Sequence, residues 1–176
     1  MEVLLLFRAL LLSGFICASL YWSDWPNWRI YYPSMLFVMI INLLASYLSY
    51  HHTLWFFQPD ALITTHTALN LLSTFSILPL TALLFLSRFP AGRLKHRLCY
   101  ITGWIVVYAA IELADGQLGG ISYRNGWSLW HSISLDCVMF PLVALHHHRP
   151  LPAWLLTVLT AAGIMIGFGF TNAPMK

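Results

Sequence analysis

Charge is what this sequence has least of. Only 9% of its 176 residues are Asp, Glu, Lys or Arg, where a water-facing domain carries about a quarter. That scarcity excludes a soluble globule, because too few polar side chains exist to cover a surface in water. Nine Lys and Arg against six Asp and Glu leave a formal charge of +3. There is no basic stripe, so nothing points to nucleic acid as a partner. The three cysteines, Cys17, Cys99 and Cys137, lie in or beside apolar runs without CxxC spacing. They read as small buried hydrophobes with free thiols. Catalytic texts are missing too. There is no GxSxG, no Walker loop and no Ser–Lys pair, and no cofactor is implied.

What the sequence does have is apolar length. Hydrophobic residues make up 59% of it and the mean hydropathy is +0.72. A bilayer core of about 30 Å is crossed by about 20 residues of apolar helix. Six segments qualify: 3–22, 33–50, 61–86, 97–114, 127–145 and 151–170. The connectors are too short for a soluble domain. The fold class is therefore all-α, a compact bundle of six transmembrane helices forming one domain over residues 1–176, with the lipid bilayer as its partner. The N-terminal stretch has no basic leader or small-residue cleavage site and reads as an uncleaved first span. Pro33 is expected at the start of span 2, and Pro150 and Pro152 open span 6. Pro79 and Pro141 fall inside spans 3 and 5 and each is expected to bend its helix, with a tilt of the long span 3 or a kink at Pro79.

Lys and Arg set the orientation. Arg29, Arg88, Arg93, Lys95, Arg97 and Arg149 fall on one side, against Arg8, Arg124 and Lys176 on the other. That asymmetry predicts a cell-membrane protein with both termini extracytoplasmic. Trp22, Trp25, Trp28, Tyr31 and Tyr32 are expected as the inner aromatic belt, and Trp55, Tyr123 and Trp127 as the outer one. "ILPLTAL" (77–83) and "MFPLVAL" (139–145) echo each other, either as a parallel repeat or by chance.

Polar residues inside the spans are costly, and they face a bundle interior or a wet cavity. Asn42, Ser46 and Ser49 share a face of span 2. His66, Asn70 and Ser73 do so in span 3, with Thr74 beside them. Tyr108 and Glu112 lie four apart in span 4, as do Ser128, Ser132 and Asp136 in span 5. Asp136 and Asn42 sit near mid-span and Asn70 slightly outward. His66, His131, Glu112 and Arg8 lie in the outer third, where Arg8 either snorkels or pairs with Glu112.

The eight histidines divide evenly between the two sides. "HHH" (146–148) reads as a solvated interfacial cluster at a turn. The outer His51, His52, His66 and His131, with Asp60, Glu112 and Asp115, have no spacing that marks a metal site. Gly163 and Gly167, like Gly14 and Ala18, are small-xxx-small pairs that suit either the bundle or a homodimer.

"YYPSMLF" (31–37), "QPDALITTHTALNLL" (58–72), "FLSRFP" (85–90), "NGWSLWHS" (125–132) and "MFPLVALHHHRP" (139–150) resemble, in order and spacing, a family of small integral membrane proteins of endospore-forming Bacillota. The resemblance implies about six spans in the cell membrane. The family's function is unknown, so it carries no site residues over. Its pattern more often has an acidic residue near Asn70, an aromatic near His131 and an amide near Asp136. This chain departs there, either by exchange of a carboxylate between neighbouring helices or by drift.

Three uses of the polar zone compete at this level. In one, Asp136, Asn70 and Asn42 floor an outward-facing cavity with His66, His131, Glu112 and Arg8 nearer the mouth. The protein is then a small-solute or ion transporter, channel subunit or sensor, a channel requiring a homo-oligomer. In the second the same residues only lock helices in an interaction or scaffold protein with a membrane-protein partner. The third is a membrane enzyme using a carboxylate as acid or base.

Overall fold

The computed structural model describes residues 2–170. Lys176, used above for orientation, lies outside them. Six helices are long and apolar enough to cross a bilayer, which makes this a multi-pass, all-α membrane protein. In chain order they are α1 (Glu2–Trp22), α2 (Trp28–Leu48), the broken pair α3 (His66–Phe75) and α4 (Ile77–Ser87), α5 (Leu94–Gln117), α6 (Leu129–His148) and α7 (Pro150–Gly167). A 3₁₀ turn, Trp25–Asn27, joins α1 to α2.

The third span is the axis of the bundle. Thr81 to Leu86 are buried without interruption, and α1, α2 and α6 pack around α4. Its outer neighbours bury one stripe each and turn the rest outward, where Leu10, Leu20, Val106, Leu155 and Ile166 are exposed for lipid. The core proper is aromatic. Phe37, Phe85 and Phe140 are each 1% exposed or less, and the Phe85 and Phe140 rings are 5.2 Å apart.

Several helix limits differ from those read in the sequence, and proline chemistry explains two of them. α2 begins at Trp28, so Pro33 lies one turn inside it. The break in the third span falls at Ser76 (φ −121°, ψ −69°), three residues before Pro79. Proline lacks the N–H that would bond the carbonyl of Phe75, and its ring crowds that carbonyl, so the distortion falls on the preceding turn. Pro141, by contrast, stays within a continuous α6. α3 itself starts at His66, where the Thr65 side chain accepts a bond from Ala68 N at 3.2 Å, a threonine cap on the first turn.

The connectors hold what periodicity could not predict, a small sheet. Trp55–Phe57 (β1) pairs antiparallel with Ile121–Tyr123 (β2), with Trp55 opposite Tyr123 and Phe57 opposite Ile121. Each strand is three residues long and comes from a different loop, too short to show an alternating pattern. The sheet closes the end of the bundle that holds Glu2, the C-terminal ends of α2 and α5 and the start of α6. The opposite end carries Arg29, Arg88, Arg93, Lys95, Arg97 and Arg149. There Arg88 Nε donates to Trp22 O at 2.7 Å.

Other expectations are corrected by packing. Cys17, Cys99 and Cys137 are exposed on the outer faces of their helices, where hydrocarbon suits a thiol as well as a core does. His146 is buried inside α6, with Nδ1 3.0 Å from Ser34 Oγ and its ring stacked on Phe37 at 4.0 Å. It is not a solvated turn residue. Trp127 is 6% exposed and packs with Leu54 and Phe170, so it is core and not belt. A Cβ added at Gly14, Gly163 or Gly167 meets nothing within 4 Å. These glycines do not mediate close helix contact within the chain.

Candidate functional site

Beneath the sheet lies a cavity of about 280 Å³. Its roof is Trp55, Phe57 and Ile121, and its sides come from α1, α2, α3, α4, α5 and α6. Asp136, Asn70, Asn42, Glu112 and Arg8 all line it, and so does Asp115. Helical rise places Asp136 about 10 Å below the first residue of α6, a little above the middle of that helix. His66 and His131 are held elsewhere. His66 Nδ1 accepts from Phe57 N at 2.9 Å and its ring stacks on Phe56. His131 Nδ1 is 2.8 Å from Ser128 Oγ, on an exposed face beside Phe168. Both are consumed by aromatic loops that the helical stripes did not reveal.

The two asparagines belong to a closed hydrogen-bond circuit. Asn42 Nδ2 donates to Thr74 Oγ1 at 2.6 Å and to Asn70 Oδ1 at 3.3 Å. Asn70 Nδ2 donates to Ser46 Oγ at 2.7 Å, and Ser46 Oγ to Asn42 O at 2.7 Å. Thr74 Oγ1 returns a bond to Asn70 O at 2.6 Å. These bonds tie α2 to α3, which is the structural use of buried amides.

The carboxylates divide differently. Glu112 Oε1 accepts from Tyr123 OH at 2.7 Å. Burial, then that bond and the nearby carboxylates, push the Tyr123 hydroxyl above its ordinary value. Asp115 Oδ1 is buried without a hydrogen bond and stands 3.9 Å from Arg8 Nη2. Asp136 is 8% exposed, and no described residue donates to it. Ser132, one turn above, is engaged by Trp127 Nε1 at 2.9 Å. Tyr108 gives its hydroxyl to Thr81 Oγ1 at 2.7 Å.

Among the described residues, Arg8 is the only Lys or Arg lining the cavity, and it is spoken for. Nη1 donates to Asp60 Oδ2 and to Gln58 O, and Nη2 to Gly120 O, all at 2.9 Å. Its partner is thus Asp60 from the loop after β1, not Glu112. Asp60 Oδ1 accepts from Leu62 N at 2.9 Å and Ile63 N at 2.8 Å. Burial alone would raise the Asp60 carboxyl, but the two amides and Arg8 outweigh it and hold it below its ordinary value. Gly120 completes this corner. A Cβ there would collide with Asp115 Oδ1 and lie 2.5 Å from Leu4 Cδ1.

Among the described residues no group of three or more His, Cys, Asp or Glu is arranged to hold a metal ion. Comparison with protein-family models, with curated proteins and with solved structures returns no match.

Proposed function

We propose that this chain sits in the cell membrane with its basic end in the cytoplasm, and that it takes a small cationic solute from the opposite side into the acidic cavity. This is the binding step of a solute transporter or sensor. The reading rests on one observation. Asp136 is more than nine-tenths buried, cavity-lining and without a partner among the described residues, while the cavity's one guanidinium is held by Asp60 and reaches only Asp115 besides, at 3.9 Å. A buried carboxylate without a partner is costly in a membrane, and a cation in the cavity removes that cost. Glu112 and Asp115 on the facing helix add to the same attraction. The cavity lies within a single chain, which favours a carrier or receptor over an oligomeric pore. The scaffold reading is supported for Asn42 and Asn70, which bond each other and link α2 to α3, and not for Asp136.

The test is chemical modification. A hydrophobic carbodiimide is expected to label Asp136 in membranes, read by mass spectrometry, and butylammonium is expected to slow that labelling. Labelling of Asp136 that butylammonium leaves unchanged would overturn the reading.

A further inference from the structure

A second cavity, about 220 Å³, lies against the first. Asn42, Trp55, Leu78, Tyr108 and Leu135 line both, so one layer of side chains separates them. The walls differ in chemistry. The first holds three carboxylates. The second, between α2, α4, α6 and α7, is lined by no Asp, Glu, Lys, Arg or His among the described residues. The hydroxyls of Thr81, Thr157 and Thr160 are engaged within the protein. Thr157 Oγ1 and Thr160 Oγ1 each donate at 2.8 Å to carbonyls of their own helix, Ala153 O and Leu156 O, and Thr81 accepts from Tyr108.

Size argues for joint use. Each cavity alone falls below the lower limit of about 300 Å³ typical of small-molecule sites, and the two side by side fall within the usual range. An apolar chamber beside an acidic one matches a ligand with the same division. From this juxtaposition we infer that the two cavities bind one amphipathic cation, an organic ammonium ion whose charged head meets Asp136 and whose hydrocarbon body fills the apolar chamber. The inference rests on the cation-binding reading above and names its ligand class. Asn42, Leu78, Tyr108 and Leu135 form the neck through which the ligand passes. Small inorganic cations would leave the apolar chamber unused, and neutral hydrocarbons would leave Asp136 uncompensated.

Trp55 and Trp127 both line the apolar chamber, so tryptophan emission reports its filling. The experiment titrates the full chain, in zwitterionic lipid nanodiscs, with n-alkylammonium ions from ethyl to octyl and with the matched n-alkanols. Partitioning into empty nanodiscs is subtracted. Affinity for the ammonium ions should rise about fourfold per methylene and then level off once the chamber is full. The matched alkanols should bind at least about tenfold more weakly, the kind of gap expected when a buried charge is left without its partner. Asp136→Asn should erase that gap, and Ala161→Leu, which narrows the chamber, should bring the levelling at a shorter chain.

A series in which every ammonium ion binds equally, with the loss in Asp136→Asn retained, would overturn the amphipathic ligand and leave the cation site standing. Ammonium ions and alkanols binding alike would overturn both. If Asp136→Asn fails to fold, judged by its elution and melting, the comparison of ammonium ions with alkanols on the unaltered chain still decides.

Discussion

Arg8 Nη1 stands 2.9 Å from the Asp60 carboxylate across 52 residues of sequence, and that pair ties the first helix to the loop that roofs the cavity. The guanidinium also reaches the carbonyls of Gln58 and Gly120, one beside each strand of the sheet. A single side chain thus holds both halves of the roof. Of the carboxylates beneath, it reaches only Asp115, at 3.9 Å, and Asp136 has no ion pair among the described residues.

The pair gives a pH dependence with a definite sign. The Asp60 carboxyl is held below its ordinary value of 3.8 in the folded protein, so its contribution to stability is fully present above that value. It is lost as pH falls through the lower folded value. Asp60→Asn should therefore lower the melting temperature at pH 7 and should abolish the difference from the unaltered protein in strong acid. Removing one partner of a buried pair costs about 3–5 kcal/mol, enough to see in a thermal melt of detergent-solubilised protein.

Gly120→Ala should damage the same corner by a different route. The added methyl group has no room between Asp115 and Leu4, and both the Gly120–Arg8 and Gly120–Gln58 bonds depend on this backbone position. Destabilisation of about 1–3 kcal/mol is expected from overpacking. Gly119→Ala should be costly for another reason, since its φ of +72° disfavours a side chain. A melt of Gly120→Ala equal to the unaltered protein would contradict the packing described.

Asn70→Leu and Asp136→Asn should separate structural from functional polarity. The first takes one partner each from Asn42 and Ser46, which keep their bonds to Thr74 Oγ1 and Asn42 O, and should cost about 1–2 kcal/mol of stability for the two interhelical bonds lost. The second removes no hydrogen bond among the described residues and should leave stability unchanged or raised, because it replaces a buried carboxyl that has no partner there. Unfolding in graded denaturing detergent measures both. A large loss in Asp136→Asn would place it with the helix-locking residues instead.

Much of the architecture was legible because the bilayer imposes length. Six apolar runs became six spanning helices, and Pro79 announced a break that fell one turn earlier, at Ser76. Asp136 stood out because a carboxylate in an apolar run has few structural uses. Asn42 and Asn70 stood out as polar stripes on neighbouring spans, but that they bond each other was not legible. The roof was not legible. Arg8 finds its partner in a polar connector, where Asp60 stood only as one acid among the outer histidines with nothing in its spacing to pair it with α1. His66 and His131 were taken from the cavity by the aromatic rings of short, irregular segments, whose contacts no helical period describes. Asp115, visible beforehand only as one acid near the outer surface, gains its importance from the adjacent Gly120.

The most direct measurement asks whether water reaches Asp136. In a variant with Cys17, Cys99 and Cys137 replaced by Ser, Asp136→Cys is treated with a membrane-impermeant maleimide in intact cells and in inverted vesicles. Rapid labelling in intact cells, blocked by prior treatment with an impermeant methanethiosulfonate, is the predicted result and places an aqueous cavity on the sheet-roofed side. A folded protein that labels from neither side until denaturant is added would contradict the account, leaving Asp136 in a dry helix interface.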